Sequence, residues 1–233
     1  MACLLAFDTS TEAMAVALQA PGGTWLYNGA GGAAASGQLI PQVHRLLQQA
    51  GIGLTQLQAI AFGQGPGAFT GLRTACAVAQ GLALGASLPL LPIDSLLIVA
   101  EGVHNEHEAA PDEVEVVMDA RMSEVYAGRY RRAGAGWGVQ REPALYTLPA
   151  LLAAWQADPP GCVAGSALAA FCARLPSGRA RRIDGEVDRA AALLRLAQQQ
   201  WQAGAARDPA TALPRYLRDK VALTVAEREA LAR

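Results

Sequence analysis

The sequence has almost no lysine and no long hydrophobic run. Of its 19 basic residues only Lys220 is a lysine, and the formal net charge is −1. A chain so close to neutrality has no global electrostatic attraction for nucleic acid or an anionic membrane. No apolar stretch reaches the roughly 20 residues that span a bilayer. The N-terminal MACLLAFDTS also lacks the basic region that begins an export signal. We therefore expect a cytoplasmic protein that contacts no membrane.

The sequence has no pattern of cysteine or histidine that is typical of a metal site. There is no Cys-x-x-Cys pair. The four cysteines all lie in apolar segments, so we expect buried free thiols in a reducing compartment. They are Cys3, Cys76, Cys162 and Cys172. His104 and His107 are three positions apart but lie in a polar, acidic segment, and a first-row metal needs a fixed third ligand. We expect no metal ion and no other cofactor.

Residues 61–85, AFGQGPGAFTGLRTACAVAQGLALG, are rich in glycine but match no familiar phosphate or nucleophile motif. A P-loop requires a lysine, a dinucleotide fingerprint requires a glycine where Ala68 stands, and a nucleophile elbow requires Gly-x-Ser-x-Gly. We interpret the stretch as a structural hinge, since glycine permits positive φ and proline stiffens a turn. Thr70 is predicted to cap the following helix and Gly85 to end it. The hinge residues are Gly65, Pro66, Gly67, Thr70 and Gly71.

The helix after this hinge carries a seam of small residues. Ala75, Ala79 and Ala83 recur every four positions, with Leu72 and Leu82 beside them. Small side chains allow a second helix to approach closely. That helix could belong to the same protomer or to a partner chain, and the residues alone favour neither.

A strand-and-hairpin unit occurs twice in the chain. A short apolar strand ends at Asp8 and two further strands follow; a second apolar strand ends at Asp119 and again two strands follow. Helix and strand patterns alternate after each unit. The repeat predicts an α/β protein with two similar lobes. The strands are predicted over 4–7, 14–18, 24–27, 58–62, 88–93, 114–118, 124–130, 137–141, 162–164 and 181–184, and the main helices over 36–50, 70–84, 147–155, 166–173 and 188–203.

The polar, proline-containing segment 103–113 separates the two halves. We expect an N-terminal lobe over residues 1–103 and a C-terminal lobe over residues 104–233. The C-terminal helix of the second lobe is free to pack back on the first lobe. The tail that follows Arg218 is predicted to be a short exposed helix.

Each lobe begins with an aspartate at the end of its first strand. Asp8-Thr9-Ser10 has small hydroxyl residues whose amides are able to line a phosphate, so turn initiation and ligand binding remain equal alternatives there. Asp119 is followed by the bulky Arg121 and Met122, which favours turn initiation. A nucleotide site between the lobes would therefore be vestigial. Its residues would be Asp8, Thr9, Ser10 and Asp119.

Two arginine clusters are the remaining candidates for a contact with RNA. They are Arg129-Tyr130-Arg131-Arg132 and Arg179-Ala180-Arg181-Arg182. Guanidinium groups bind the phosphate backbone, but solvated strand ends explain both clusters as well. The near-zero net charge argues against sequence-specific RNA binding by this chain alone.

Five segments, in order from residue 7 to 218, together resemble the TsaB (YeaZ-type) family of tRNA threonylcarbamoyladenosine biosynthesis subunits, formerly grouped with glycoprotease-like proteins. The segments are FDTS at 7–10, GQGPGAFTGLR at 63–73, AQGLALG at 79–85, DARMSEVY at 119–126 and PRYLR at 214–218. The resemblance implies the two-lobed actin/sugar-kinase/Hsp70-like (ASKHA) fold.

The resemblance also implies a function without catalytic residues of the chain's own. Family members are scaffolds for the related subunit TsaD, which transfers a threonylcarbamoyl group to N6 of the adenosine beside the anticodon in ANN-decoding tRNAs. The ATPase TsaE joins this pair, and tRNA is bound through the complex. The alternative is a free-standing small-molecule kinase or metallopeptidase of the same fold.

Family members dimerise, with TsaD or with themselves, through the two helices of the first lobe. The resemblance therefore implies an interface formed by Leu39, Val43, Leu46, Leu47, Leu72, Ala75, Cys76, Ala79, Leu82 and Ala83. The chain departs from the family before the first helix, where Ala33-Ala34-Ala35-Ser36 replaces Arg-x-His-Ser/Thr. TsaD carries metal-binding histidines at the start of the equivalent helix, so this departure fits a subunit without the transfer chemistry.

Overall fold

The computed structural model describes residues 2–106, 111–184 and 187–218. Its first lobe contains a five-stranded sheet with the strand order β3-β2-β1-β4-β5. β1 pairs antiparallel with β2 and β2 with β3, whereas β4 runs parallel to both β1 and β5. The strands are β1 (Leu4–Asp8), β2 (Ala13–Ala20), β3 (Gly23–Ala30), β4 (Ala59–Gly65) and β5 (Leu90–Asp94).

The second lobe repeats this topology. Its sheet has the order β10-β9-β6-β7-β8, again with two antiparallel pairs and two parallel ones. The predicted α/β fold with two similar lobes is therefore confirmed. The strands are β6 (Glu113–Asp119), β7 (Glu124–Ala133), β8 (Gly136–Thr147), β9 (Cys162–Ala164) and β10 (Arg181–Ile183).

Six α-helices cover the two sheets within the described ranges. None of them is both long and apolar enough to cross a bilayer. Thr147 caps the fourth helix, because its hydroxyl accepts a hydrogen bond from the Ala150 amide at 3.3 Å. The helices are α1 (Ala35–Ala50), α2 (Phe69–Ala86), α3 (Ser95–Glu106), α4 (Leu148–Ala157), α5 (Ala167–Phe171) and α6 (Arg189–Gln202).

The first sheet is covered on both faces. Leu5 and Phe7 of β1 pack with α1 and α2 in one core cluster, whereas Leu4 and Ala6 pack with α6 in another. This alternation follows from the two-residue period of a strand. A mostly apolar strand such as β1 requires cover on both sides. The helix from the far end of the described chain supplies that second cover.

The segment predicted as the seam between the lobes begins inside a helix. α3 runs to Glu106, and Val103 is fully buried against strands of the second sheet. Val99 and Val103 continue an apolar stripe at i, i+4 spacing, which outweighs the polar residues that follow. Asp94 caps this helix, since its carboxylate accepts the Leu96 amide at 2.8 Å. The lobe boundaries remain a prediction, and the predicted tail helix lies outside the described residues.

The predicted ends of α2 are wrong. The helix begins at Phe69, one residue before Thr70, and its N-cap Ala68 has no side chain able to accept a hydrogen bond. It continues through Gly85 to Ala86 and is closed by Ser87 in the left-handed conformation at φ 55°. The loop before α2 is held by a tertiary contact, since the Ala68 amide donates to the Ser10 carbonyl at 2.8 Å.

Candidate functional site

The glycine-rich hinge packs directly on the turn that follows β1. A Cβ atom at Gly63 would overlap the Asp8 carboxylate, at Gly67 the Ser10 backbone, and at Gly71 the Thr9 carbonyl oxygen. The Thr9 hydroxyl donates to the Gly71 carbonyl at 2.7 Å. These glycines are therefore required for close approach of two backbone segments.

The sequence suggested that glycine is needed in the hinge because it permits positive φ. Among the hinge glycines this reason applies only to Gly65, which has a φ of 111°. Pro66 is buried beside it, as is Gly71 at the start of α2. Thr70 is exposed and contributes no cap. The hinge is therefore built by the close approach of its glycines to the β1–β2 turn.

The Asp8 carboxylate lies fully buried beneath this hinge and is satisfied from within the protein. It accepts hydrogen bonds from the Ser10 hydroxyl at 2.9 Å and the Ser95 hydroxyl at 3.3 Å, and it is ion-paired with Arg189 of α6. The Nε of Arg189 has no hydrogen-bond partner among the residues that the structure describes. Because Arg189 neutralises Asp8, this carboxylate is not presented to a cation that accompanies a bound phosphate.

A cavity of about 200 Å³ separates the two lobes beside this pair. Ser10 and Asp119, two of the four predicted nucleotide residues, line it, while the fully buried Asp8 and Thr9 lie outside its lining. Asp119 acts as a turn initiator, since its carboxylate accepts the Arg121 amide at 2.8 Å. Arg121 then reaches across the cleft to form an ion pair with Glu12 of the first lobe.

The turn between β6 and β7 has an unusual backbone that the sequence did not predict. Arg121, Met122 and Ser123 have φ values of 62°, 53° and 59°, so three successive residues with side chains are left-handed. Such conformations cost free energy for residues other than glycine. Tertiary contacts hold the turn, since Arg218 donates to the Ala120 carbonyl at 2.9 Å.

Residues 213–218 form an interlobe strap, a name kept below for this extended segment. On the first lobe, the Arg215 amide donates to the Gln64 carbonyl at 2.7 Å. The Tyr216 ring lies 4.8 Å from the Phe69 ring of α2. On the second lobe, Arg218 forms an ion pair with Glu124 at 2.5 Å. The strap therefore ties the start of α2 to the β6–β7 turn, over a second cavity of about 220 Å³.

Asp94 connects the strap to the second sheet. Its carboxylate accepts the Tyr130 hydroxyl at 2.9 Å and lies 3.6 Å from the Arg215 guanidinium. Burial raises the pKa of Asp94, although the hydrogen bond from Tyr130 opposes the shift. The pKa of Tyr130 lies well above its ordinary value of 10. Burial of the hydroxyl is the main cause, and the negative charge of Asp94 is the second.

The residues predicted to form the partner interface do not lie on the surface. Nine of the ten are at most 4% exposed: Leu39, Val43, Leu46, Leu47, Leu72, Ala75, Cys76, Ala79 and Ala83. All of these except Leu72 pack in the core between α1, α2 and the first sheet. Leu82 is half-buried against the same core. The small-residue seam lets α2 approach its own sheet and neighbouring helix. Most of these side chains are therefore occupied within the protomer, and their part in a partner interface stays a prediction.

The opposite side of these two helices is open. We call it the outer face, defined by Gly37 and Ile40 of α1 and by Ala77, Gly81 and Leu84 of α2, all exposed. Ile40 is 45% exposed and Leu84 62%. Nothing lies within 4 Å of a Cβ placed at Gly37 or Gly81, so no contact within the described protein requires glycine there. Glycine inside a helix costs up to about 1 kcal/mol relative to alanine.

The cysteines are free thiols, but one differs from expectation. Cys3, Cys76 and Cys162 are buried, and burial raises the pKa of each, whereas Cys172 is exposed. The exposed thiol follows from its position just after the short helix α5. Among residues 2–106, 111–184 and 187–218, no three His, Cys, Asp or Glu side chains are grouped to hold a metal ion.

Comparison with known proteins places the chain in a family. The family model described as TsaD, tRNA N6-adenosine threonylcarbamoyltransferase, matches residues 33–161. The protein named tRNA threonylcarbamoyladenosine biosynthesis protein TsaB from Haemophilus influenzae is 44% identical over 123 residues, which are 53% of this chain and 51% of that protein. The Escherichia coli protein of the same name is 40% identical over 129 residues, 55% of each chain. The matched region thus spans about half the length of these curated relatives.

Solved structures match over a larger part of the chain. YeaZ from Pseudomonas aeruginosa is 34% identical with a TM-score of 0.82, and the match covers 93% of this chain and all of that one. Another P. aeruginosa structure, described as similar to peptidase YeaZ, is 35% identical with a TM-score of 0.84 and covers 94% of this chain and all of that one. The chain therefore belongs to the TsaB (YeaZ-type) family.

Proposed function

We propose that the chain is a non-catalytic scaffold in the formation of N6-threonylcarbamoyladenosine beside the anticodon of ANN-decoding tRNAs. In this proposal it binds the catalytic subunit TsaD, and the ATPase TsaE joins the pair in the cytoplasm. The names of the curated relatives support the pathway. The match of more than half of the chain to the TsaD family model supports a structural likeness between the two partners.

The outer face of α1 and α2 carries the proposal of TsaD binding. It combines two exposed apolar side chains, Ile40 and Leu84, with helix glycines that no described residue approaches. Pro41 adds to this, because a proline inside α1 leaves the Gly37 carbonyl without its helical donor. A partner helix that packs closely on the outer face would contact the apolar side chains, lie against the glycines and approach the Gly37 carbonyl. In the absence of TsaD, the same face would pair two copies of the chain.

The buried pair of Asp8 and Arg189 supports the non-catalytic part of the proposal. The acidic side chain at the end of β1 is neutralised by the protein's own arginine. On the other side of the cleft, Arg121 and Glu12 neutralise each other. The charged groups of the cleft are thus engaged in ion pairs within the protein, which fits a subunit without catalytic residues.

A pair of charge insertions tests the docking face. Leu84→Arg places a cation on the outer face, and Val139→Arg places one at a residue that is 46% exposed on β8 of the other lobe. We expect Leu84→Arg to abolish the heterodimer with TsaD, measured as complex mass by light scattering, because an unpaired charge would be buried. Val139→Arg should leave the complex intact, and circular dichroism of both variants should match the parent.

Two results would contradict the proposal. One is an unchanged complex mass for Leu84→Arg. The other is ATP or peptide turnover by the purified chain alone, which would favour the kinase or metallopeptidase alternative. Ala79 of the predicted interface is unsuitable for this test, since it is fully buried and an arginine there would disrupt the core.

A further inference from the structure

The structure distinguishes the two arginine clusters of the sequence. The cluster on β7 is neutralised by carboxylates. Arg129 forms ion pairs with Glu115 at 2.7 Å and Asp158 at 2.8 Å. Arg131 pairs with Glu113 at 2.6 Å and Arg132 with Glu101 at 3.0 Å. These arginines stabilise the second lobe and its contact with α3, and they leave little charge for a partner.

The second cluster lies in a stretch without acidic residues. Residues 171–183, FCARLPSGRARRI, contain four arginines and no carboxylate. All four are exposed: Arg174, Arg179, Arg181 and Arg182. Asp184 follows the stretch, and Arg182 donates to it at 3.3 Å. The net charge of this segment is therefore strongly positive although that of the whole chain is −1.

Three of these arginines, Arg174, Arg179 and Arg182, lie around α5 and the turn before β10. β10 is the outermost strand of its sheet, and the Arg182 guanidinium donates to the Leu168 carbonyl of α5 at 3.4 Å. Arg174 lies one short turn beyond α5, with its guanidinium 5.7 Å from the Phe171 ring. Arg179 lies at the tip of the turn before β10, closed by a hydrogen bond from the Ala180 amide to the Ser177 carbonyl at 3.0 Å.

We propose that this β10 basic edge, formed by Arg174, Arg179 and Arg182, binds the phosphodiester backbone of structured RNA. The inference rests on the proposed function, in which that RNA is the tRNA held by the complex. Guanidinium groups match phosphate oxygens in a bidentate geometry. Charges are screened beyond about 8–10 Å at physiological salt, so this edge attracts phosphate locally despite the neutral total. Contacts of this kind position the RNA and carry no base specificity.

The test compares two sets of arginine substitutions of the full chain. Arg174→Gln combined with Arg179→Gln removes two charges from the basic edge. Arg131→Gln combined with Arg132→Gln removes two from the neutralised cluster of the same lobe. Binding of fluorescently labelled tRNA is measured by anisotropy between 50 and 200 mM KCl, for the chain alone and mixed with TsaD. Circular dichroism checks the fold of each variant.

We expect the slope of log K against log[KCl] to lose about one unit per substituted arginine of the basic edge, hence about two in the double variant. The affinity at low salt should fall with it. The double variant of the neutralised cluster should retain the parent slope.

An unchanged slope and affinity in the basic-edge variant would overturn the inference, as would the absence of tRNA binding in every mixture. Failure of the parent chain to form a complex with TsaD would instead contradict the proposed function. In that case, a smaller salt slope of the basic-edge variant than of the parent, measured without TsaD, would still support RNA binding by the basic edge.

Discussion

Asp8 and Arg189 form a buried ion pair although 181 positions separate them in the sequence. Asp8 ends the first strand, and Arg189 begins the last α-helix that the structure describes. The pair therefore joins α6 to the first sheet at the point where the two lobes meet. Both side chains are removed from water, so each depends on the other for its charge balance.

Removing Arg189 should destabilise the protein strongly. Arg189→Met leaves the Asp8 carboxylate buried without its counter-charge, and we expect a loss of about 3–5 kcal/mol in the free energy of unfolding. Urea denaturation followed by circular dichroism measures it. The double variant Asp8→Asn/Arg189→Met should recover part of the loss, because no charge is then left unpaired. A double variant less stable than Arg189→Met would disprove the interpretation.

Two glycines of α2 should respond to alanine in opposite ways. Gly71→Ala places a methyl group into the Thr9 carbonyl and should cost about 1–3 kcal/mol. Gly81→Ala meets open space on the outer face and should stabilise the isolated chain by about 0.5–1 kcal/mol. Thermal unfolding of both variants gives the sign of each change.

The same Gly81→Ala variant separates stability from docking. If a partner helix lies against Gly81, the added methyl group should weaken the complex with TsaD while it stabilises the free chain. Titration calorimetry measures the affinity. Equal affinity of the variant and the parent would show that this glycine has no role at the interface.

The interlobe strap should contribute measurably to stability through Arg218. Arg218→Met removes its donation to the Ala120 carbonyl and its ion pair with Glu124. Hydrogen bonds of charged groups contribute about 1.5–3 kcal/mol, and we expect a loss of that size in urea denaturation. Arg207→Met is the control, since Arg207 is exposed and its contact with Leu90 is made by the backbone. Equal stability of the two variants would contradict a stabilising strap.

The protonation of Asp94 predicts a pH dependence. Its pKa is raised in the folded state, so the folded protein binds this proton more tightly than the unfolded chain does. The stability that this provides is complete below the ordinary value of 3.8 and is lost as the pH rises through the folded-state pKa. As the pH rises from 3.8 through the folded-state pKa of Asp94, the free energy of unfolding should therefore fall less in Asp94→Asn than in the parent. Parallel pH profiles of the variant and the parent would count against it.

The local pattern of the sequence predicted the fold well. The two meanders, each with an aspartate at the end of its first strand, follow from a two-residue apolar period and turn residues that act over a few positions. The glycines of the hinge were also recognised, although Gly63, Gly67 and Gly71 serve close approach and only Gly65 a positive φ.

Long-range contacts account for the parts that could not be predicted. The seam of Ala75, Ala79 and Ala83 indicates close packing, but periodicity cannot say whether the neighbour is the chain's own sheet or another molecule. Arg189 lies within an ordinary helical pattern, and nothing near it in sequence identifies Asp8 as its partner. The left-handed turn at Arg121 is held by the distant Arg218. For the proposed docking face, the available signal is a helix glycine that no contact of the described residues requires, Gly81.

The position of α6 on the first sheet has a consequence for synthesis on the ribosome. Residues 4–94 contain every strand of that sheet, but the helix that shields Leu4 and Ala6 begins only at Arg189. The nascent first lobe therefore emerges with much of one apolar side of its sheet uncovered, and it stays so until most of the polypeptide has been translated. During that interval the bare side is exposed to chaperones and to aggregation, so cutting the gene between the lobes should yield an insoluble N-terminal half.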